Sequence, residues 1–145
     1  MNLEKIKAHA NQYFIDVLKN HYADFKGRAD RPMFWFFYMY MFISIIVASV
    51  IFSILHLPAL TGLVALGLIV PMLGLSVRRL HDLGKPWYWL LLGIVPGFLA
   101  GICFYILPSL VGIFKLLQGL GNIALLVLYC MKGEDKANAW GPKVK

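Results

Sequence analysis

Arg78-Arg79-Leu80-His81-Asp82-Leu83-Gly84-Lys85-Pro86 is the one strongly charged island in an apolar run that extends from Met33 to Met131. A soluble domain does not carry nearly a hundred residues with so few charges. The chain reads as an integral membrane protein, and because bilayer hydrocarbon leaves no water for exposed backbone groups, its spans must be helices. Composition agrees. Hydrophobic residues make up 60% and charged residues 14% of the 145, against about 25% charged in soluble domains. That length allows one small membrane domain.

Working outward from the island, apolar segments alternate with breakers. The expected spans are about 33–55, 60–77, 87–107 and 110–131, which makes 27–131 an all-α four-helix membrane bundle. Phe34-Trp35-Phe36-Phe37-Tyr38 at the start of the first span and Trp87-Tyr88-Trp89 at the start of the third are aromatic interface anchors. Pro32 suits a first helical turn with Asp30 as its N-cap. His56-Leu57-Pro58 and Pro108-Ser109 form the turns on the other side. Pro71 kinks the second span. The fourth carries Lys115 and Gln118, so a tilted or re-entrant course is the alternative to a full span there.

Residues 1–26 contain an amphipathic helix. Leu3, Ile6, Ala10, Tyr13, Phe14, Val17, Leu18, Tyr22 and Phe25 recur at steps of three and four, with Lys5, Gln12, Asp16 and Lys19 on or near the other face. Such a helix lies in the membrane interface, packs across the end of the bundle, or docks on a partner. No cleavable signal peptide is expected, so the first span acts as the insertion signal. Residues 132–145 form a polar tail.

The net charge is +7, and 13 of the 14 Lys and Arg fall in the first 32 residues, the island and the tail. With four spans these lie on one side. The positive-inside rule then places both termini in the cytoplasm. Topology accounts for the basic charge, and nucleic-acid binding has no further support. Cys103 and Cys130 would sit near opposite membrane faces, about 22 Å apart in helix depth, too far for a disulfide. No metal site or cofactor is expected.

Three groups of residues invite a functional reading. Arg28, Arg31, Arg78, Arg79, His81 and Asp82 are candidates for an anion or partner site, since guanidinium groups engage phosphate or carboxylate as a fork. The bland reading is an orientation signal with loop-to-loop salt bridges. Asp82 at a helix C-terminus needs a cation, with Arg78 four residues away as the local choice and Arg28 or Arg31 as the long-range ones. Gly93, Gly97 and Gly101 form a ladder of small residues that serves either a homodimer or packing inside one subunit, with the first or second span as the expected neighbour. His81 beside Asp82 suggests a base and its orienter, but adjacent helical residues point about 100° apart.

The segment Phe25-Lys26-Gly27-Arg28-Ala29-Asp30-Arg31, the aromatics at Phe34-Trp35-Phe36, the island, Trp87-Tyr88-Trp89-Leu90-Leu91-Leu92 and Asn138-Ala139-Trp140-Gly141-Pro142 together resemble the bacterial inner-membrane family called domain of unknown function 805. The resemblance covers about residues 20–142. It implies a small multispanning protein of the bacterial cytoplasmic membrane and brings no reaction, cofactor or catalytic residue. Trp140 stands where Tyr or Phe usually precedes Gly-Pro, and the longer stretch between the third-span motif and the tail favours two spans there.

The motifs around Arg28, Arg79 and Asn138 all fall on one face and are expected to meet, with Asn138 and Trp140 folding back beneath the bundle. The functional expectation is a non-enzymatic protein that contacts the lipid bilayer and binds a protein partner, anionic lipid headgroups or a second copy. The alternative is a small transporter or membrane enzyme with an anion site at the same face.

Overall fold

The computed structural model describes residues 3–142 and 144. Met1, Asn2, Lys143 and Lys145, which belong to the expected segments 1–26 and 132–145, lie outside the described residues. The chain is all helical bundle, with an isolated bridge between Asn138 and Gly141 in the tail.

The first helix, α1, runs as Leu3–Ala10, passes through a π-helical turn at Asn11–Ile15 and continues as Asp16–Asn20. Four long apolar helices follow. These are α2 (Arg31–Ile54), α3 (Ala59–Asp82), α4 (Leu91–Ile106, entered through a 3₁₀ turn at Trp87–Leu90) and α5 (Val111–Cys130, entered through a 3₁₀ turn at Pro108–Leu110). Each, with its entry turn, is long and apolar enough to cross a membrane. The fourth segment is one continuous helix.

Local chemistry sets the ends. The Asp30 carboxylate accepts from the Met33 N–H at 2.9 Å, and Pro32 occupies the first turn of α2. At the end of α3, Gly84 takes φ +68°. The Gly84 N–H reaches the His81 carbonyl at 3.1 Å and the Lys85 N–H reaches Leu80 at 2.9 Å. This is a Schellman cap, which glycine permits at its left-handed position.

Two boundaries differ from the sequence reading. The second long helix continues five residues past 77, through Arg78–Asp82. The island's charges do not end the helix because each finds a partner, as described below. The first helix stops at Asn20, not near 25. His21 Nδ1 meets the Asp24 carboxylate at 3.0 Å and that carboxylate accepts from the Lys26 N–H at 3.0 Å, which turns the chain into an extended strap.

The strap, residues 21–30, lies along α3. The Ala29 N–H donates to the Arg78 carbonyl at 3.0 Å. The Asp24 carbonyl rests on Gly74, where a Cβ would approach it to 2.9 Å. Tyr22 donates its hydroxyl to the Gly67 carbonyl. That contact has a clear cause. Pro71 has no N–H, so the carbonyl four residues earlier, Gly67, loses its helical partner and Tyr22 supplies one. An analogous gap occurs in α4, where Pro96 frees the Leu92 carbonyl and Gly121 of α5 packs directly against it, leaving no space for a side chain.

The core lies toward the end that carries the island and the tail, called here the basic end. Phe34, Phe37 and Met41 of α2 pack with Leu75 and Leu80 of α3 and Leu125 and Tyr129 of α5. The Phe34 and Tyr129 rings are 4.4 Å apart. Tyr38 and Ser76 share a 2.8 Å hydrogen bond across α2 and α3.

Candidate functional site

The basic end is organised around Asp82, the last residue of α3. Its Oδ1 accepts from Arg28 Nε at 2.9 Å, and its Oδ2 from Arg79 Nη1 at 2.5 Å. All three side chains are buried, with Arg79 0% exposed, Asp82 5% and Arg28 6%. Burying charges is costly unless they are paired and their remaining donors are used.

Here the donors are used. Arg79 reaches the Tyr129 carbonyl through Nε (3.3 Å) and Nη2 (3.2 Å), and Nη2 also reaches the Met131 carbonyl. A guanidinium thus closes the C-terminus of α5, where carbonyls lack helical partners and the helix dipole favours a cation. Arg28 Nη1 donates to the Lys136 carbonyl at 2.7 Å and Nη2 to the Glu134 carbonyl at 2.6 Å. Two guanidinium groups and one carboxylate leave one excess positive charge, and these main-chain dipoles take it up.

The tail is fixed from its own side as well. The Glu134 N–H donates to the Asp82 carbonyl at 2.8 Å. Gly133 lies so close to the Asp82 carboxylate that no Cβ fits. Asn138 Nδ2 donates to the His81 carbonyl at 2.9 Å and to the Glu134 carboxylate at 2.7 Å. Trp140 stacks on His81 with ring centroids 4.7 Å apart and planes 9° from parallel. The segments around Arg28, Arg79 and Asn138 therefore converge.

The remaining candidates have other partners. His81 Nδ1 lies 3.1 Å from the Gly27 carbonyl, so that nitrogen carries the proton and donates. The ring faces Trp140 and Gly27, and the base–orienter pair with Asp82 is not formed. Arg78 does not pair with Asp82, contrary to the four-residue spacing. Its Nη1 is 4.0 Å from the Asp24 carboxylate, and its Nε is buried with no hydrogen-bond partner among the described residues. Burial pushes the Asp24 carboxyl up, but the Lys26 N–H, the His21 side chain and the Arg78 charge outweigh this and hold it below its ordinary value. Arg31 is exposed and touches the Cys130 carbonyl at 3.4 Å.

The glycine ladder is split. Gly93 lies under the Asn122 side chain and Gly97 under Gln118, both of α5, while nothing lies within 4 Å of a Cβ on Gly101. The neighbour is the fourth span rather than the first or second, because Gly121 lets α5 approach the backbone of α4.

Two cavities flank the basic end. One of about 250 Å³ opens among Asp30, Arg31, Arg79, Asp82, Lys132 and Glu134. The other, about 390 Å³ and apolar, lies among Phe25, Leu73, Val77, Trp87, Leu90 and Ile94. Neither separates a free guanidinium pair for an anion, since Arg28 and Arg79 are engaged internally. Cys103 and Cys130 are free thiols. Among the described residues, no cluster of three or more His, Cys, Asp or Glu side chains can hold a metal ion.

Sequence reasoning missed Asp24, Tyr129, Gly133 and Glu134. Lys132-Gly133-Glu134 was the available signal, a glycine at the exit of a span beside a carboxylate.

Four apolar helices, closed at one end by a buried arginine–aspartate cluster and a docked tail, define a multispanning helical membrane protein in contact with the lipid bilayer. The chain belongs to the family described as protein of unknown function DUF805, whose model matches residues 22–142, from the strap to Pro142 of the tail. It is similar to inner membrane protein YhaI of Escherichia coli (strain K12), 33% identical over 135 residues that cover 90% of this chain and 92% of that protein. It is also similar to inner membrane protein YhaH of the same strain, 25% identical over 139 residues that cover 92% and 96% respectively. No solved structure matches.

Proposed function

We propose that this is a non-enzymatic inner-membrane protein whose basic end faces the cytoplasm, with both termini there, and binds anionic lipid headgroups through α1 and the strap. The observation that carries this reading is the seat of α1. His9 lies 4.4 Å from Phe36, centroid to centroid, and its Nδ1 is 3.0 Å from the Tyr40 hydroxyl. Tyr13 packs on Phe36 and Phe14 on Phe37. Phe36 to Tyr40 lie about 7–13 Å along α2 from Arg31 at 1.5 Å per residue. This is close to the depth at which interfacial helices bury their apolar face. Lys5, Lys19 and Lys26 are exposed on or just after this helix, and each lysine near an anionic surface contributes about 1 kcal/mol.

The competing reading, an anion site for a transporter or enzyme at Arg28 and Arg79, has less support, because those donors already serve Asp82 and main-chain carbonyls.

The test is native mass spectrometry of the protein released from phosphatidylcholine vesicles containing phosphatidylglycerol. Wild type is compared with Lys5→Gln/Lys19→Gln/Lys26→Gln. Wild type is expected to retain phosphatidylglycerol preferentially and the variant to lose that preference. Equal retention by the two proteins contradicts the proposal.

A further inference from the structure

Val77 and His81 stand four residues apart and share one face of α3. The strap brings Phe25 to that face. The entry turn and first residues of α4 bring Trp87, Leu91 and Ile94. Together they line the apolar cavity of about 390 Å³, a volume typical of small-molecule sites. Val77 and His81 are buried, each 6% exposed, and form the floor. Phe25, Trp87, Leu91 and Ile94 are exposed and form the rim. Leu91 and Ile94 belong to the third span, so the mouth opens toward hydrocarbon.

His81 makes this more than an apolar hollow. Its Nδ1 donates to the Gly27 carbonyl at 3.1 Å, and one face of its ring is covered by Trp140. That leaves Nε2 as its polar atom available to the cavity, and among the described residues Nε2 has no hydrogen-bond partner. With the proton on Nδ1, Nε2 is an acceptor. Of the other lining side chains only Trp87 carries a polar atom, an indole N–H, and Trp87 stands at the rim. A buried acceptor without a donor costs free energy. An alkyl chain from the bilayer fills apolar space but brings no donor. The complementary occupant has an apolar body, one hydroxyl to donate, and a flat ring to set against Phe25 and Trp87.

We propose that this cavity binds a lipid-soluble quinol that enters from the bilayer. A ring hydroxyl donates to His81 Nε2, the ring lies between Phe25 and Trp87, and the tail leaves past Leu91 and Ile94. The oxidised, dione form offers only acceptors, so its carbonyl oxygen would face the Nε2 lone pair. The site therefore favours the reduced form. This proposal does not depend on the lipid reading above, which concerns the lysines of α1 and the strap.

The test is equilibrium binding of radiolabelled 2-decylhydroquinone, kept reduced with ascorbate, to the full chain in phosphatidylcholine nanodiscs, with empty nanodiscs as background. Two comparison probes share its tail and ring: 2-decyl-1,4-benzoquinone, and decylbenzene, which has no hydroxyl. Saturable binding of the hydroquinone is expected, about tenfold tighter than either comparison probe, as one hydrogen bond allows. His81→Asn keeps an amide donor for Gly27 but lacks Nε2, and should bind the hydroquinone no better than decylbenzene. Ile94→Trp, at the exposed rim with His81 intact, should abolish binding by filling the mouth, and Ile102→Trp, further along the same span, should leave it unchanged. The Ile94 and Ile102 pair stands whether or not the His81 variant folds. Equal binding of the three probes would make the cavity a seat for an alkyl chain and overturn the proposal. No saturable binding, or equal loss in Ile94→Trp and Ile102→Trp, overturns it as well.

Discussion

Asp82 accepts a 2.9 Å hydrogen bond from Arg28, a residue 54 positions earlier in the chain, and both side chains are buried. This pair joins the strap before the first span to the end of the second. Because Arg28 also holds the Glu134 and Lys136 carbonyls, it joins both to the tail.

Removing one member strands the other. Arg28→Ala leaves Asp82 with Arg79 alone and frees the tail carbonyls. Breaking a buried pair costs about 3–5 kcal/mol. The expected result is a lower thermal unfolding midpoint in detergent and proteolytic cleavage within residues 132–142. Arg28→Lys keeps the charge but loses the fork, and its midpoint should fall between those of Arg28→Ala and wild type.

Glycines at close approaches should be far less tolerant than open ones. Gly133→Ala forces a methyl onto the Asp82 carboxylate, and Gly121→Ala forces one onto the Leu92 carbonyl. Each should destabilise by about 1–3 kcal/mol through overpacking. Gly101→Ala meets nothing within 4 Å and should be neutral or slightly stabilising. Unfolding midpoints of the three variants check this.

Tyr22 and Pro71 should be coupled. Tyr22→Phe removes the donor to the Gly67 carbonyl, which Pro71 leaves without a helical partner, with an expected loss of about 1 kcal/mol, the net worth of one hydrogen bond. In a Pro71→Ala background the helix itself can supply an N–H to Gly67, so the same change should cost less. A double-mutant cycle measures the difference. Additive effects would show that the hydroxyl is not replacing the missing helical donor.

Acid should loosen the strap through Asp24. Its folded-state pKa lies below the ordinary 3.8 because the Lys26 N–H, His21 and Arg78 outweigh burial. A depressed carboxylate stabilises the fold above its unfolded-state value, and that contribution is lost as pH falls through the folded-state value. Wild type should therefore exceed Asp24→Asn in unfolding midpoint above about pH 4, with the difference closing below it. A pH-independent difference would contradict the role given to the carboxylate.

The four apolar helices were legible because hydrocarbon imposes a length and a composition that the prolines and the charged island punctuate. The end of α1 was not. Tyr22 and Phe25 continue the apolar period, yet the His21–Asp24–Lys26 turn breaks the helix first, and Tyr22 instead serves the carbonyl that Pro71 frees. The need of Asp82 for a cation was readable, but its choice of partner was not. Spacing favoured Arg78, whereas Arg79 and Arg28 reach it and Arg78 turns toward Asp24. The main-chain acceptors of Arg28 and Arg79 were invisible for a different reason. Every residue carries a carbonyl, and only the return of the tail decides which ones are used. The Gly93–Gly97 ladder was visible as a spacing, but its neighbour depended on Gly121 meeting Leu92, a contact between two helices that no pattern within either one specifies.

The central claim is that Arg28, Asp82 and Arg79 lock the tail beneath the bundle. Its most direct test is hydrogen–deuterium exchange of residues 133–141 in wild type and Arg28→Ala, reconstituted in lipid nanodiscs. The account predicts slow exchange of the Glu134, Asn138 and Gly141 amides in wild type, where each N–H has a carbonyl partner, and fast exchange in the variant. Fast exchange of these amides in wild type, at the rate of a free peptide, would contradict it.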